Sequence, residues 1–444
     1  MDDILKILGG AIMGPLLVLV ALFVFKFTFD LVGVSPEPIF AFIIALSPVW
    51  VPFLLFYLFY EKWVEYTRLK FSISQGRSTL RIKLPQEVLK SPEAMESVMA
   101  QIHNTNGADN LMQIYIDGKH PLTYSFELVS FGGDVRFYVN VPTKKIKNQI
   151  EAQLYAQYPG IEVVEEMIDY TSEVVWDPEQ WEMMSFHMGK KDDQVYPIKT
   201  YIDFGMDKLP KEELKFEPMA AMLEQLSTYK PHERVWVQIL CKPHAKQNFK
   251  TGSLHKHDTW EGEVFEAIDK LMGRGHFKKN TLNPEEREDQ PRLTTGERDK
   301  IVAMERNVGK YAYETAIRWM YIAKKGNFDG NAIAPMIRTF AQYDVLKRNA
   351  IGARWRTDFN YNVFSDYSGK KKMRLKKSEL ADYKQRRYTV RESVSGIDAP
   401  KIFTVEELAT MFHIPGSSVV TPGLARIPST RKEAPPNLPT GNPQ

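Results

Sequence analysis

Cysteine is nearly missing: Cys241 stands alone among 444 residues, so no internal disulfide framework can form and a reducing compartment is favoured for the soluble bulk. Motif chemistry is missing as well. No G-x-x-x-x-G-K-[ST] phosphate loop occurs, which removes any sign of nucleotide hydrolysis by this chain, and neither a G-x-S-x-G elbow nor an H-E-x-x-H helix is present. Cys241, His244, His255, His257 and His276 gather metal-type side chains within about forty residues, yet their spacing fits no zinc pattern. The sequence therefore assigns no catalytic, cofactor-binding or metal residue, and a non-enzyme is expected.

Net charge is small, at +3, but it is segregated. From Ile161 to Asp193 there are ten acidic and two basic side chains; from Arg338 to Arg391 there are fifteen basic and five acidic. Such separation suggests distinct contact faces. Within the basic stretch, Lys370, Lys371, Lys372, Arg374, Lys376 and Lys377, joined by Lys384, Arg386 and Arg387, are candidates for contact with phosphates or anionic lipid. The acidic stretch lacks the spacing of a calcium loop and reads as a connector over 171–194.

Long uncharged runs are present near the start. Ile7–Phe25 and Ile39–Tyr60 carry no charge over 19 and 22 residues, each enough to cross a hydrocarbon core of about 30 Å. The expectation is an anchor over 1–66 with two transmembrane helices, 7–25 and 39–60. A cleaved signal peptide would explain only the first run. Lys62, Arg68 and Lys70 crowd the exit of the second run, which by the positive-inside rule puts both termini and the soluble part on the cytoplasmic side of the inner membrane, with lipid as a partner.

After the anchor, patterns of period two and period 3.6 alternate. Thr79 to Leu84 alternates polar and apolar as a strand does, and Pro85 ends it. Met95, Val98, Met99 and Ile102 form one helical stripe behind Ser91-Pro92. Strands are expected at Thr123–Ser130 and Val135–Val141, joined through Phe131-Gly-Gly-Asp134, whose glycines permit a tight turn. Ile146, Ile150 and Leu154 mark a second helix, and Ile161–Val164 a fourth strand. The order β-α-β-β-α-β over 67–170 is that of a ferredoxin-like unit. A second copy is expected over 195–368: a strand at Val195–Phe204, a stripe of Met219, Met222, Leu223 and Leu226, strands at Arg234–Leu240 and Tyr311–Ala323, a helix between Asn331 and Tyr343, and a strand at Ile351–Phe364. Its hairpin position holds an insertion, 243–308, with helices near Glu263–Met272 and Glu297–Val308. The fold class read from the chain is α+β: two N-terminal transmembrane helices, two tandem ferredoxin-like units, a basic connector at 369–400, and a short helix with a proline-rich tail at 401–444.

The tail carries the resemblance. Phe403-Thr-Val-Glu-Glu-Leu-Ala-Thr-Met-Phe-His-Ile-Pro415 followed by Ala434-Pro-Pro-Asn-Leu-Pro439 resembles the connector that precedes the motor in FtsK/HerA-like conjugation and type IV secretion ATPases. Ser91-Pro-Glu-Ala-Met-Glu96, Gly132-Gly-Asp-Val-Arg-Phe137, Glu151-Ala-Gln-Leu-Tyr-Ala-Gln-Tyr-Pro159 and Tyr196-Pro-Ile-Lys-Thr-Tyr201 look like the membrane-anchored module at the start of such proteins. The resemblance implies a non-catalytic scaffold that positions a separate FtsK/HerA-like ATPase; no catalytic residue transfers, because the family's catalytic residues lie in a motor this sequence does not include. Thr404 and Glu407 form a capping-box pattern ahead of Leu408, Met411 and Phe412. Phe403, Leu408, Met411, Phe412, Pro415, Pro435, Pro436 and Leu438 are accordingly the expected docking residues of a mobile strap. A homo-oligomer and an indirect contact with nucleic acid are further expectations. The competing reading is a membrane protein that binds nucleic acid through the basic segment and an exposed sheet. Against tight single-strand binding, Phe137, Tyr138 and Trp236 lack the spacing of an RNA-stacking platform.

Overall fold

The computed structural model describes residues 41–42, 44–86, 88, 90–208, 216–254, 256, 259–273, 293–358, 366, 369–393, 396–417, 419 and 421–427, with the side chains of 392–397 left aside. The chain divides into two units, Met1–Thr67 and Arg68–Gln444. Helix α1 (Ser47–Gln75) comes first. Strand β1 (Arg77–Pro85) is followed by α2 (Glu93–Gln101), the one-turn α3 (Leu111–Tyr115), β2 (Tyr124–Phe131), β3 (Asp134–Pro142), α4 (Lys147–Gln157) and β4 (Glu162–Glu166). Then come β5 (Trp181–Lys190), α5 (Ala220–Ser227), β6 (Glu233–Pro243), α6 (Trp260–Leu271), α7 (Thr295–Val308), β7 (Ala312–Lys324), α8 (Ile333–Arg338) and β8 (Ile351–Arg356). The last elements are α9 (Lys370–Lys384), a hairpin of β9 (Arg391–Ser393) and β10 (Gly396–Asp398), β11 (Lys401–Thr404), α10 (Val405–Met411) and β12 (Arg426–Ile427).

Ten of these strands make one sheet, in the order β12-β1-β3-β2-β6-β7-β5-β8, with β4 also beside β1 and β11 also beside β7. Only the short β1–β12 pairing is parallel. The β2–β3 hairpin closes through Gly132 and Gly133, both at positive φ; a Cβ on Gly132 would lie 2.5 Å from the Pro231 Cα, and one on Gly133 2.8 Å from the Ser227 carbonyl oxygen. Glycine is therefore required there by the backbone conformation and by the close approach of the 227–231 turn.

Side chains alternate between two cores. Phe126, Leu128, Phe137, Val237, Ile239, Ile317 and Trp319 face helices α2, α4, α5, α8 and α10, which supply Met95, Val98, Ile150, Leu154, Met222, Leu223, Met336, Leu408 and Phe412. Val129, Tyr138, Met183, Trp236, Met320 and Ile322 face the other way, under Tyr170, Leu380 and Tyr383. Helices α6 and α7 pack with Val195, Ala312 and Ile402 in a smaller third cluster.

This architecture corrects the expected fold class. The two halves share one continuous sheet, because β2 pairs with β6 along the whole length of β2, from Tyr124 opposite Cys241 to Phe131 opposite Arg234. An edge strand leaves a row of backbone donors and acceptors without partners. Here two such edges satisfy each other, so no boundary separates two tandem ferredoxin-like units. The first strand of the second half is β5, inside the expected acidic connector; Val195–Phe204 is turns and irregular chain, not a strand.

The expectation of membrane-spanning helices is corrected too, as far as the described residues reach. Ile7–Phe25 lies outside the described residues. For Ile39–Tyr60, the helix that begins at Ser47 meets Glu61 and Lys62 after 14 residues, about 21 Å of helix at 1.5 Å per residue, short of a hydrocarbon core of about 30 Å. Among the described residues, no helix is long and apolar enough to cross a membrane. A multi-pass placement in the inner membrane loses its support with that helix.

Candidate functional site

Charged residues in apolar strands build the site. Glu127 of β2, His187 of β5, Gln238 of β6 and Arg318 of β7 are all fully buried on the second face of the sheet. A buried charge must be paired and hydrogen-bonded to persist. Glu127 accepts from Ser125 Oγ (2.6 Å), Tyr170 Oη (2.6 Å), Gln238 Nε2 (2.9 Å) and Arg386 Nε and Nη2 (3.0 and 3.1 Å). Arg318 Nη2 donates to Gln238 Oε1 (2.6 Å), while its Nη1 lies 3.6 Å from Glu379. Glu379 also accepts from Arg391 Nε (2.8 Å) and meets His187 Nε2 at 2.9 Å; His187 Nδ1 meets Asp398 at 2.5 Å. The network binds α9, Arg386, Arg391 and Asp398 to the sheet.

His187 has a carboxylate on each ring nitrogen, so both nitrogens donate and the ring is the imidazolium. Burial alone would lower its pKa, but the hydrogen bonds to Asp398 and Glu379 together carry it above the ordinary value. Burial would raise Glu379, yet His187, Arg318 and Arg391 hold it down to about 2. A raised folded-state pKa stabilises fully below the unfolded value near 6.5, and that contribution fades as pH climbs through the folded value. Urea midpoints measured from pH 6 upward should therefore fall in the wild type, and the fall should flatten in His187→Gln. Parallel curves for the two proteins would sink the assignment.

Beside this network the sheet opens into a cleft of three cavities that share walls. The largest, about 840 Å³, is lined by Leu69, Ile73, Leu122, Leu240 and Ala316 together with Arg77, Lys242, Arg386 and Arg387. Arg77 and Arg386 also line a cavity of about 340 Å³ with Lys384, Glu165, Glu166 and Asp169. At the other end Thr123, Lys242 and Glu314 pass into a second chamber of about 340 Å³ with Arg68, Lys119, Lys246 and Lys250. Each chamber therefore has cations in its wall, beside the carboxylates Glu165, Glu166 and Asp169 at one end and Glu314 in the other two. Lys242 is tied to Glu314 at 2.8 Å, and Glu314 is held down to about 2 against burial by His244 and Lys242. Arg386 sits at φ 51°, a left-handed position where a helix usually ends on glycine. Such a conformation costs about 1–3 kcal/mol, offset here by the two-pronged bond to Glu127 and by Asp169 at 2.6 Å.

A serine and a histidine meet in the same cleft. Ser72 Oγ lies 3.2 Å from His120 Nε2, and His120 Nδ1 lies 2.8 Å from the Gly118 carbonyl, which makes Nδ1 the donor and Nε2 the acceptor. Burial lowers the His120 pKa to about 4, too weak a base for general-base work at neutral pH. The pair is a structural bridge between α1 and the loop that precedes β2.

The residues expected from the sequence fall in two places. Lys370, Lys371, Lys372, Arg374, Lys376 and Lys377 form the first two turns of α9. They do not lie over an open sheet, because α9 itself covers that face, and Phe137, Tyr138 and Trp236 are buried. The docking strap is corrected more deeply. α10 has the expected capping box, with Thr404 Oγ1 accepting from the Glu407 backbone N–H and Glu407 accepting from that of Thr404. Phe403, Leu408, Met411, Phe412 and Pro415, however, are buried in their own chain, not presented to a partner. Beyond them, Val135 N–H donates to the Gly423 carbonyl (2.7 Å) and β12 joins β1, so 421–427 is packed as well. Pro435, Pro436 and Leu438 lie outside the described residues. Of the metal-type cluster, Cys241 is buried in β6, where burial pushes its thiol pKa up, and His244 lies 3.4 Å from Glu314; His255, His257 and His276 lie outside the described residues. Among the described residues no group of His, Cys, Asp or Glu is placed to hold a metal ion.

The sequence missed Arg68, Arg77, Lys119, Lys242, Lys246 and Lys250, which come from four separate segments. No local pattern announces such a gathering, although Arg386 and Arg387 were already visible as the end of the basic run. No curated protein matches the chain. The model of one family, described as Domain of unknown function (DUF8128), matches residues 64–426, most of the chain, and the protein belongs to that family.

Proposed function

We propose that this protein is a non-catalytic binding module whose cleft holds the phosphate backbone of a nucleic-acid strand. The observation that carries the reading is the row of three cavities, each with guanidinium or ammonium groups in its wall from Lys384 to Lys250, which outnumber the four carboxylates Glu165, Glu166, Asp169 and Glu314. A phosphate chain needs a succession of cations, and a row of chambers with shared walls offers one. The burial of Phe137, Tyr138 and Trp236 removes the stacking platform that sequence-reading sheets use, so binding rests on phosphates and is weak and blind to sequence at physiological salt. The resemblance to modules of FtsK/HerA-like ATPases supports a nucleic acid over a free phosphate. Docking of such an ATPase is a second proposal, but it needs a surface other than Phe403–Pro415, which the protein's own core occupies.

The test is fluorescence anisotropy of a labelled single-stranded oligonucleotide across 50–200 mM salt. Log K should fall linearly with log salt. Lys119→Gln with Lys250→Gln should reduce that slope by about 1.4, at about 0.7 for each phosphate that a cation no longer neutralises. Absence of binding at 50 mM salt, or an unchanged slope in the double variant, would overturn the reading.

A further inference from the structure

Helix α9 sorts its charges by sign. Its two carboxylates, Glu379 and Asp382, are buried against the sheet, where Glu379 meets His187 and Asp382 meets Arg391. Lys370, Arg374 and Lys377 are exposed on the opposite side. Positions 370, 374, 377, 381 and 384 follow i, i+4, i+7, i+11 and i+14, which is one face of a helix, and only Ala381 interrupts the basic row. No acidic residue stands in the first turn. Cations there oppose the helix dipole and repel one another at i, i+4, so the arrangement is not one that helix stability alone would select. Asp366, from outside the helix, caps that turn instead by accepting from the Lys371 and Lys372 backbone N–H groups at 3.0 and 2.8 Å.

The row ends in the cleft. Lys384, whose Nζ donates to the Val174 carbonyl at 2.6 Å, lines the end cavity with Arg77 and Arg386 and with Glu165, Glu166 and Asp169. From Lys370 to Lys384 the axis runs about 21 Å at 1.5 Å per residue, equal to the rise of about six stacked nucleotides at about 3.4 Å each. A single small anion would call for converging cations, whereas these lie in a line.

We propose that the outer face of α9 is a track for the phosphate backbone of a nucleic-acid strand, leading into the cleft. The inference rests on the nucleic-acid reading above and deepens it by naming the path. The experiment uses the full chain with the same labelled oligonucleotide and salt series. Lys370→Ala/Arg374→Ala/Lys377→Ala should reduce the salt slope by about 2, at about 0.7 per phosphate, with a thermal unfolding midpoint no lower than that of the wild type. The charge-keeping Lys370→Arg/Lys377→Arg should retain the wild-type slope. If the triple variant keeps the full slope while Lys119→Gln/Lys250→Gln lowers it, the track fails and the cleft stands; if the wild type binds no oligonucleotide, the nucleic-acid reading itself fails. A parallel arm with vesicles of phosphatidylcholine and phosphatidylglycerol separates the sources of phosphate: wild-type vesicle binding lost in the triple variant, beside unchanged oligonucleotide binding, would overturn the proposal in favour of a lipid surface.

Discussion

Replacing Glu379 by alanine should lower the free energy of unfolding by about 3–5 kcal/mol, the usual cost of leaving buried charges without their counter-charge. Glu379 is fully buried and meets three cations: His187 at 2.9 Å, Arg391 at 2.5 Å and Arg318 at 3.6 Å. Without it Arg318, itself fully buried, keeps Gln238 and backbone carbonyls but has no carboxylate at its guanidinium, and His187 keeps only Asp398. Chemical denaturation gives the measurement, as a fall in midpoint at constant slope. Lys377→Ala, two residues away on the outer face, should leave the midpoint where it is. A loss below about 1 kcal/mol for Glu379→Ala would mean that water or rearrangement satisfies the two cations, against the tightly closed network described above.

That network also explains what the sequence reveals and what it hides. Strands β2 and β3 and their Gly132-Gly133 turn are legible, because turn chemistry and apolar patterning are local. So is the Thr404–Glu407 capping box of α10. Strand β5 is not: Met183, Met184, Phe186 and Met188 are buried on both faces of a covered sheet, so alternation vanishes, and the neighbouring acids give the stretch the look of a connector. The pairing of β2 with β6 joins residues more than a hundred positions apart and leaves no local mark. A trace of the network is nonetheless present in the sequence. Glu127 stands between Phe126 and Leu128, His187 between Phe186 and Met188, and Arg318 between Ile317 and Trp319. A charge inside an otherwise apolar strand requires a buried partner, and the basic stretch that follows β8 supplies several, among them Arg386 and Arg391. Composition alone made that stretch a surface feature; the structure divides it into an inner set that pairs and an outer set that faces away from the sheet.

Phe412→Ala should cost about 3–5 kcal/mol, the range for removing a fully buried aromatic side chain from a close-packed core. The ring is fully buried and lies 5.2 Å from that of Phe126 and 5.7 Å from that of Phe137, so it closes the layer between α10 and the two strands β2 and β3. Relaxation into the space is restricted, because α10 is pinned at its start on two sides. Glu407 meets Lys190 Nζ at 2.8 Å and accepts from the Ile198 backbone N–H at 3.0 Å, while Glu406 meets Arg306 at 2.9 Å and Lys310 at 2.8 Å. With both carboxylates fixed, the helix cannot slide to fill the cavity, which places the loss toward the upper end of the range. A segment that served only as a strap for another protein would behave differently: its apolar residues would be dispensable to the isolated chain, and Phe412→Ala would leave the unfolding midpoint unchanged. The two outcomes are far apart, and a single denaturation curve on the full chain separates an integral core helix from a docking peptide.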